Sequence, residues 1–218
     1  MRLRAPAISL YAALVAFVVL TGLAMARYPG GTWCHEDEQG LDFWLVFFCD
    51  LTHAHALNGS PNPAQGIARA GLLALVAGFV PFWFLASRLV AAGAARTAIV
   101  ALGLVSVAGL VAVPLVPTDR YGGLHALTVM LAGGPGLLAA VLVAAGHARR
   151  ATPRALRVVA PAACGVALVT MALYLRAHFG GIQCSPALPV GQKIAAALLL
   201  AWMALVARAS DVASLRGG

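Results

Sequence analysis

Six apolar stretches dominate this sequence, and each is close to the length that a helix needs to cross a bilayer. A hydrocarbon core of about 30 Å requires roughly 20 apolar residues in a helix. Leu, Ala and Val occur on every side of the helices that these stretches would form, so none has a polar face for water. They cover residues 5–26, 67–86, 97–116, 121–146, 158–175 and 188–207. The sequence therefore predicts one integral-membrane domain, residues 1–218, that is an all-α bundle of six transmembrane helices.

The composition excludes most soluble classes of protein. Of 218 residues, 61% are apolar and 10% are charged, whereas an ordinary globular domain carries about 25% charged residues. A soluble enzyme, a disordered chain and a disulfide-dense secreted module are all inconsistent with this balance. The formal net charge is +8, but the arginines lie between apolar runs rather than on a polar surface. We therefore expect membrane lipids as partners and no nucleic acid; the sequence leaves protein partners open.

The distribution of charge predicts the orientation. Arginine is concentrated in the N-terminus, the second–third link, the fourth–fifth link and the tail, which fall on one side of a six-span protein, while six of the seven acids fall on the other. Because arginine-rich segments stay in the cytoplasm, we expect both termini there. The excess of arginine over lysine, with abundant Ala, Gly and Val, is typical of a GC-rich bacterial genome, so we expect the membrane to be a bacterial inner membrane. A signal peptide ending at Ala24-Met25-Ala26 is the alternative for the first span, but its apolar run of about 20 residues exceeds the usual ~7–15.

Two features interrupt this regular pattern. Gly133, Gly134, Pro135 and Gly136 are expected to break the fourth span, in a bundle that the prolines inside its spans would kink. The outer link 27–65 contains the aromatic run 43–51, which is too short to span and too apolar to be dissolved in water. That run predicts an interfacial or re-entrant helix between the first and second spans. Lys193 is expected to snorkel at the start of the sixth span.

Polar residues on the outer side form a candidate site. A catalytic zinc needs three protein ligands and a bound water, and imidazole is a common ligand. A metal-dependent lipid hydrolase is therefore one hypothesis, with His53, His125 and His178 as ligands and Asp50 as ligand or base. In the alternative the groups are structural, with Asp50 paired to Arg69, Arg27 or Arg120 and the histidines bonded to water or loop carbonyls. No HExxH motif is present.

Arginines near the outer ends of the spans could bind the phosphate or carboxylate of a lipid headgroup through bidentate hydrogen bonds, although ordinary snorkelling explains each arginine individually. The residues predicted to bind a ligand are Asp50, His53, His55, Arg69, Asp119, Arg120, His125, Arg27 and Arg176.

Three cysteines, Cys34, Cys49 and Cys184, lie on the same side, where a disulfide is permitted. We favour Cys34–Cys184 because Cys49 lies in the apolar run, but the sequence leaves three pairings open.

Short motifs in a fixed order support a family resemblance. They are Phe47-x-Cys49-Asp50-Leu51, Asn58-Gly59-x-Pro61-Asn62-Pro63, Ala68-Arg69-x-Gly71, Val113-Pro114-Leu115-Val116-Pro117-x-Asp119, Leu124-His125 and Pro189-Val190-Gly191-Gln192-Lys193. The chain resembles uncharacterised six-helix bacterial membrane proteins related to the FRAG/DRAM-like family, some of whose eukaryotic relatives are linked to lipid remodelling. It departs from alkaline ceramidases, which have seven helices and a His-x3-His pair in the last.

These observations predict a multi-pass membrane protein that binds or senses lipid headgroups through an outward-facing polar pocket. The zinc-dependent intramembrane hydrolase is the first alternative, and whether the chain is an enzyme stays open. A small-solute transporter is the second alternative, for which the broken fourth span is the only indication. No span carries the buried acid that a proton-coupled carrier usually has.

Overall fold

Six long helices form the bundle in a computed structural model that describes residues 4–150, 152–181 and 184–216. Each of the six is long and apolar enough to cross a membrane, so the prediction of an all-α fold with six membrane-spanning helices is confirmed. The helices are α1 (Arg4–Met25), α2 (Gln65–Val90), α3 (Gly93–Leu115), the single-turn α4 (Thr118–Tyr121), α5 (Gly123–Arg149), α6 (Arg154–Gly180) and α7 (Ala187–Arg216).

The long helices are arranged as a ring in chain order, with α2 nearest the centre. Each long helix packs against the next one along the chain, and α1 contacts α7 to close the ring. In addition to α1 and α3, α2 contacts α5 and α7, and half of its most apolar stretch is buried. The most buried helix is thus the one that four others surround.

Aromatic side chains of α2 and α7 fill the middle of the bundle. The ring of Phe82 lies 4.8 Å from that of Trp83 and 5.2 Å, edge to face, from that of Trp202. Small residues let α3 approach these rings and its partner α5, as is usual in membrane helix packing. A Cβ on Gly103 would lie 2.4 Å from the Trp83 ring, and one on Gly109 would lie 2.4 Å from the backbone nitrogen of Ala132.

The predicted break in the fourth span is wrong. Helix α5 continues through Pro135 from Gly123 to Arg149. A proline is tolerated inside a membrane helix where neighbours supply partners for the freed backbone groups. The hydroxyl of Ser106 in α3 donates a 2.6 Å hydrogen bond to the carbonyl of Ala132 in this stretch. The only sequence feature that indicated a transporter is therefore not a break in the helix.

The predicted interfacial or re-entrant helix at residues 43–51 is not confirmed. The segment forms a series of turns, followed by a 3-10 turn at Asp50–Thr52. Its side chains compete for the backbone donors that a helix would use, as Asp and Asn commonly do in turns. The carboxylate of Asp42 accepts hydrogen bonds from the N–H groups of Trp44 (2.8 Å) and Leu45 (3.0 Å), and that of Asp50 accepts one from Phe47.

Candidate functional site

The three links on one side of the bundle join to form what we call the loop face: the α1–α2 link, the α3–α5 link with α4, and the α6–α7 link. A disulfide connects Cys34 in the first link to Cys184 in the third, with their Cα atoms 4.9 Å apart. This is the pairing that the sequence favoured. The N–H of Ala54 donates a 3.1 Å hydrogen bond to the carboxylate of Asp119 in the second link. The loop face is therefore held together by covalent and polar contacts.

The α1–α2 link has a small core of its own, formed by Ala24, Tyr28, Val46, Leu51, Ala56, Ala64 and Ala68. The buried Asn62 side chain donates to the carbonyls of Leu51 (3.1 Å) and His53 (2.9 Å). Gly31 has a φ of +85° and passes so close to Asn58 that a Cβ would lie 2.3 Å from its backbone nitrogen. Only glycine fits there, on both counts. The long link is therefore an ordered cap over the bundle.

Asp50 is the most buried acid of the loop face, with 1% of its surface exposed. One carboxylate oxygen accepts a 3.1 Å hydrogen bond from the indole N–H of Trp33, and the other accepts a 2.8 Å bond from the N–H of Phe47. Burial raises the pKa of Asp50 to about 7, against the opposing effects of these bonds and the nearby Lys193 charge. Asp50 is thus placed to exchange a proton near neutral pH.

Lys193 does not snorkel, contrary to the prediction, because the loop face covers it. Only 5% of its surface is exposed. Its amine donates a hydrogen bond to the carbonyl of Val46 and lies 4.6 Å from the ring centre of Phe48 and 5.6 Å from that of Phe43. The adjacent Gln192 accepts a 2.9 Å bond from the N–H of Phe48. The start of α7 therefore anchors the aromatic run.

A cavity of about 550 Å³, the loop-face cavity, lies between this cap and the ends of the helices. Three of the predicted site residues line it: Asp50, His125 and His178. The sequence did not indicate a place in the site for the other polar or aromatic residues of the lining, which include Trp33, Glu36, Cys49 and Tyr174. A Trp beside a disulfide cysteine, and a Tyr one turn before His178, are the signals that could have indicated them.

His53 lies apart from the cavity lining, although it is 98% buried. Burial lowers the pKa of His53, while the carboxylate of Asp119 acts in the opposite direction. Its Nε2 has no hydrogen-bond partner among the residues that the structure describes. His125 shares a 2.7 Å hydrogen bond between Nδ1 and the carbonyl of Val116, as the structural alternative predicted for the histidines. The exposed His178 stacks on Tyr174 with 6.0 Å between ring centres.

The four residues predicted as zinc ligands are not assembled. Across the described ranges, no three His, Cys, Asp or Glu side chains are grouped closely enough to hold a metal ion. Cys49 is a free thiol in the cavity lining, and burial raises its pKa. Because the thiolate is the reactive form, Cys49 is poorly suited to nucleophilic attack.

The predicted arginine partners of the site lie elsewhere. Arg27, Arg120 and Arg176 are exposed, as are His55 and Asp119. Arg69 is half-buried and donates a 3.3 Å hydrogen bond to the carbonyl of Thr52, so the expected pairing of Asp50 with an arginine is replaced by Trp33 and Phe47. Among the described residues, no arginine or lysine lines the loop-face cavity.

The cavity therefore presents carboxyl, imidazole and phenol groups together with apolar side chains that include Leu45, Phe47 and Leu188. The described part of this lining accepts and donates hydrogen bonds and offers no arginine or lysine to an anionic group. Comparison with known proteins finds no family model, no curated protein and no solved structure that matches the chain.

Proposed function

We propose that the loop face lies outside the cytoplasm, in a bacterial inner membrane, with both termini in the cytoplasm. The arginine-rich links at the opposite end of the bundle support this orientation. The Cys34–Cys184 disulfide supports it too, since disulfides persist in oxidising compartments such as the periplasm.

Cysteine labelling of intact cells tests the orientation. In a Cys49→Ser, Cys164→Ser background, Cys34 and Cys184 are the remaining cysteines. After an impermeant reductant, both should react with an impermeant maleimide. Labelling that needs permeabilised membranes would contradict the orientation.

We propose further that the protein binds a lipid headgroup of the outer leaflet in the loop-face cavity. The observation that carries this proposal is a cavity of about 550 Å³, with both polar and apolar side chains in its lining, at the end of a membrane bundle. Its volume falls in the range of small-molecule sites, ~300–1,000 Å³. The acids Asp50 and Glu36 and the absence of an arginine or lysine from the described lining favour a headgroup that carries a cationic amine. The FRAG/DRAM-like resemblance is a further reason to expect a lipid-related role.

Occlusion of the cavity tests headgroup binding. Ala177 of α6 lines the cavity, while Ala172 of the same helix is exposed on the bundle surface. The delipidated protein should retain phosphatidylethanolamine in native mass spectrometry in preference to phosphatidylglycerol. Ala177→Trp should abolish this retention, and Ala172→Trp should not. Equal retention by both variants would refute the proposal.

The zinc-hydrolase hypothesis makes a separate prediction. Asp50, His125 and His178 share the cavity, which is the one observation that favours it. Metal analysis of the purified protein should then find zinc near one equivalent, and His125→Ala should remove it. Metal at background level, with thermal stability unchanged by a chelator, would eliminate this alternative.

A further inference from the structure

A second cavity, the bundle cavity, lies between the helices and has a volume of about 370 Å³. Its lining is almost wholly apolar and comes from α2, α3, α5, α6 and α7; it includes Trp83, Leu110, Met171, Leu199 and Trp202. An apolar space of this kind has few groups to hold water. It is suited to a hydrocarbon group.

The two cavities follow one another along the same three helices. On α5 the loop-face cavity ends at Ala126 and the bundle cavity begins at Val129. On α6, Tyr174 lines the first cavity and Met171, almost one turn away, lines the second. On α7 the change occurs between Pro189 and Gln192. A polar site and an apolar site are therefore arranged in succession from the loop face inward.

Gln192 marks the junction between them. Its side-chain oxygen holds the N–H of Phe48 in the cap, and the same residue lines the bundle cavity. The fully buried residues of α6, Leu156, Ala160 and Ala163, lie in its half away from the loop face. The half nearest the loop face contributes lining residues to both cavities.

The length of the bundle cavity along the helices is close to the hydrocarbon thickness of one leaflet. Its lining on α7 extends from Gln192 to Trp202, which is roughly 15 Å at the rise of an α-helix. The hydrocarbon core is about 30 Å thick. The bundle cavity thus spans about the depth at which the chain of an outer-leaflet lipid lies.

We propose that the bundle cavity holds one hydrocarbon chain of the lipid whose headgroup occupies the loop-face cavity. This inference rests on the proposed function and names its ligand class: a lipid amphiphile that buries one chain within the protein. The succession of polar and apolar linings matches the two parts of such a molecule, and burial of each methylene contributes to binding.

A matched pair of variants on α7 tests the proposal. Ala196 lines the bundle cavity, whereas its neighbour Ala197 is exposed on the surface of the bundle. The probe is lysophosphatidylethanolamine, measured by native mass spectrometry against Ala196→Phe and Ala197→Phe. Because both variants see the same detergent, the ratio of their affinities removes the partition of the probe into micelles. Ala196→Phe should bind the probe roughly tenfold more weakly, the effect of excluding about two methylenes.

Glycerophosphoethanolamine, which has the headgroup and no chain, separates the two proposals and should bind both variants alike. Equal affinity of both variants for lysophosphatidylethanolamine would overturn the chain site and leave the headgroup site standing. Failure of the wild-type protein to bind lysophosphatidylethanolamine would overturn the headgroup site itself. If Ala196→Phe unfolds, Ala167→Phe fills the same cavity from α6, with Ala172→Phe as its control.

Discussion

The amine of Lys193 donates a hydrogen bond to the carbonyl of Val46, which lies 147 residues earlier in the chain. This bond connects the start of the last helix to the middle of the first link, next to the buried carboxylate of Asp50. The rings of Phe43 and Phe48 lie within cation–π distance of the amine. The contact thus joins the cap to the start of α7.

Lys193 is the only lysine in the sequence, so its burial can be measured by amine labelling. We expect a water-soluble N-hydroxysuccinimide ester to leave Lys193 of the native protein unmodified. After denaturation in sodium dodecyl sulfate, the same reagent should modify Lys193. Peptide mass spectrometry locates the label, and equal modification before and after denaturation would show that the amine is exposed.

Replacement of the amine measures its contribution to stability. Lys193→Met keeps a long unbranched side chain but leaves the carbonyl of Val46 without its donor, at a cost of about 1–3 kcal/mol. We expect a lower thermal unfolding temperature in detergent. Arg208→Met removes a charge from an exposed position on the same helix and is the control. A change no larger than that of the control would mean that the Lys193 contact adds nothing.

The disulfide should contribute more, because it closes a loop of 150 residues between Cys34 and Cys184. Cys34→Ser is expected to lower the free energy of unfolding by about 2–5 kcal/mol. Cys164→Ser, which removes a free cysteine, should change it little. Thiol counting with a polyethylene-glycol maleimide under denaturing conditions should find two reactive cysteines in the wild-type protein and four after reduction. Four before reduction would show that the bond does not form.

The spans could be predicted because they depend on a local property, the length of an apolar run. The disulfide joins residues 150 apart, and the sequence could only favour Cys34–Cys184 among three pairings, since Cys49 lies in the short apolar run of the first link. The end of the first link could also be predicted, because Pro61 and Pro63 do not fit inside a regular helix. Helix α2 begins just after them, at Gln65.

The partners of the polar residues could not be predicted, because they depend on how the links fold over one another. Sequence placed Asp50, His125 and His178 in one leaflet, and they line one cavity. It also placed the arginines there, and they lie outside the described lining. Trp33 contacts Asp50 because the α1–α2 link folds back on itself. The next residue, Cys34, is bonded to Cys184 in the α6–α7 link. Membrane topology thus fixes the depth of a residue but not its neighbours.

The stability of the protein should depend on pH through Asp50. Burial raises the pKa of this carboxyl from 3.8 to about 7, so the folded protein keeps a proton that the unfolded chain releases. The contribution of Asp50 to stability is therefore complete below about pH 4 and is lost as the pH rises to about 7. At ~1.4 kcal/mol per pKa unit, the loss amounts to no more than about 4 kcal/mol.

Asp50→Asn cannot titrate, and its unfolding temperature in detergent should fall less than that of the wild type between pH 4 and pH 7. The exposed Asp37 provides the control, since Asp37→Asn should follow the wild-type profile. If the profiles of Asp50→Asn and the wild type run parallel over this range, the carboxyl of Asp50 is ionised in the folded protein throughout.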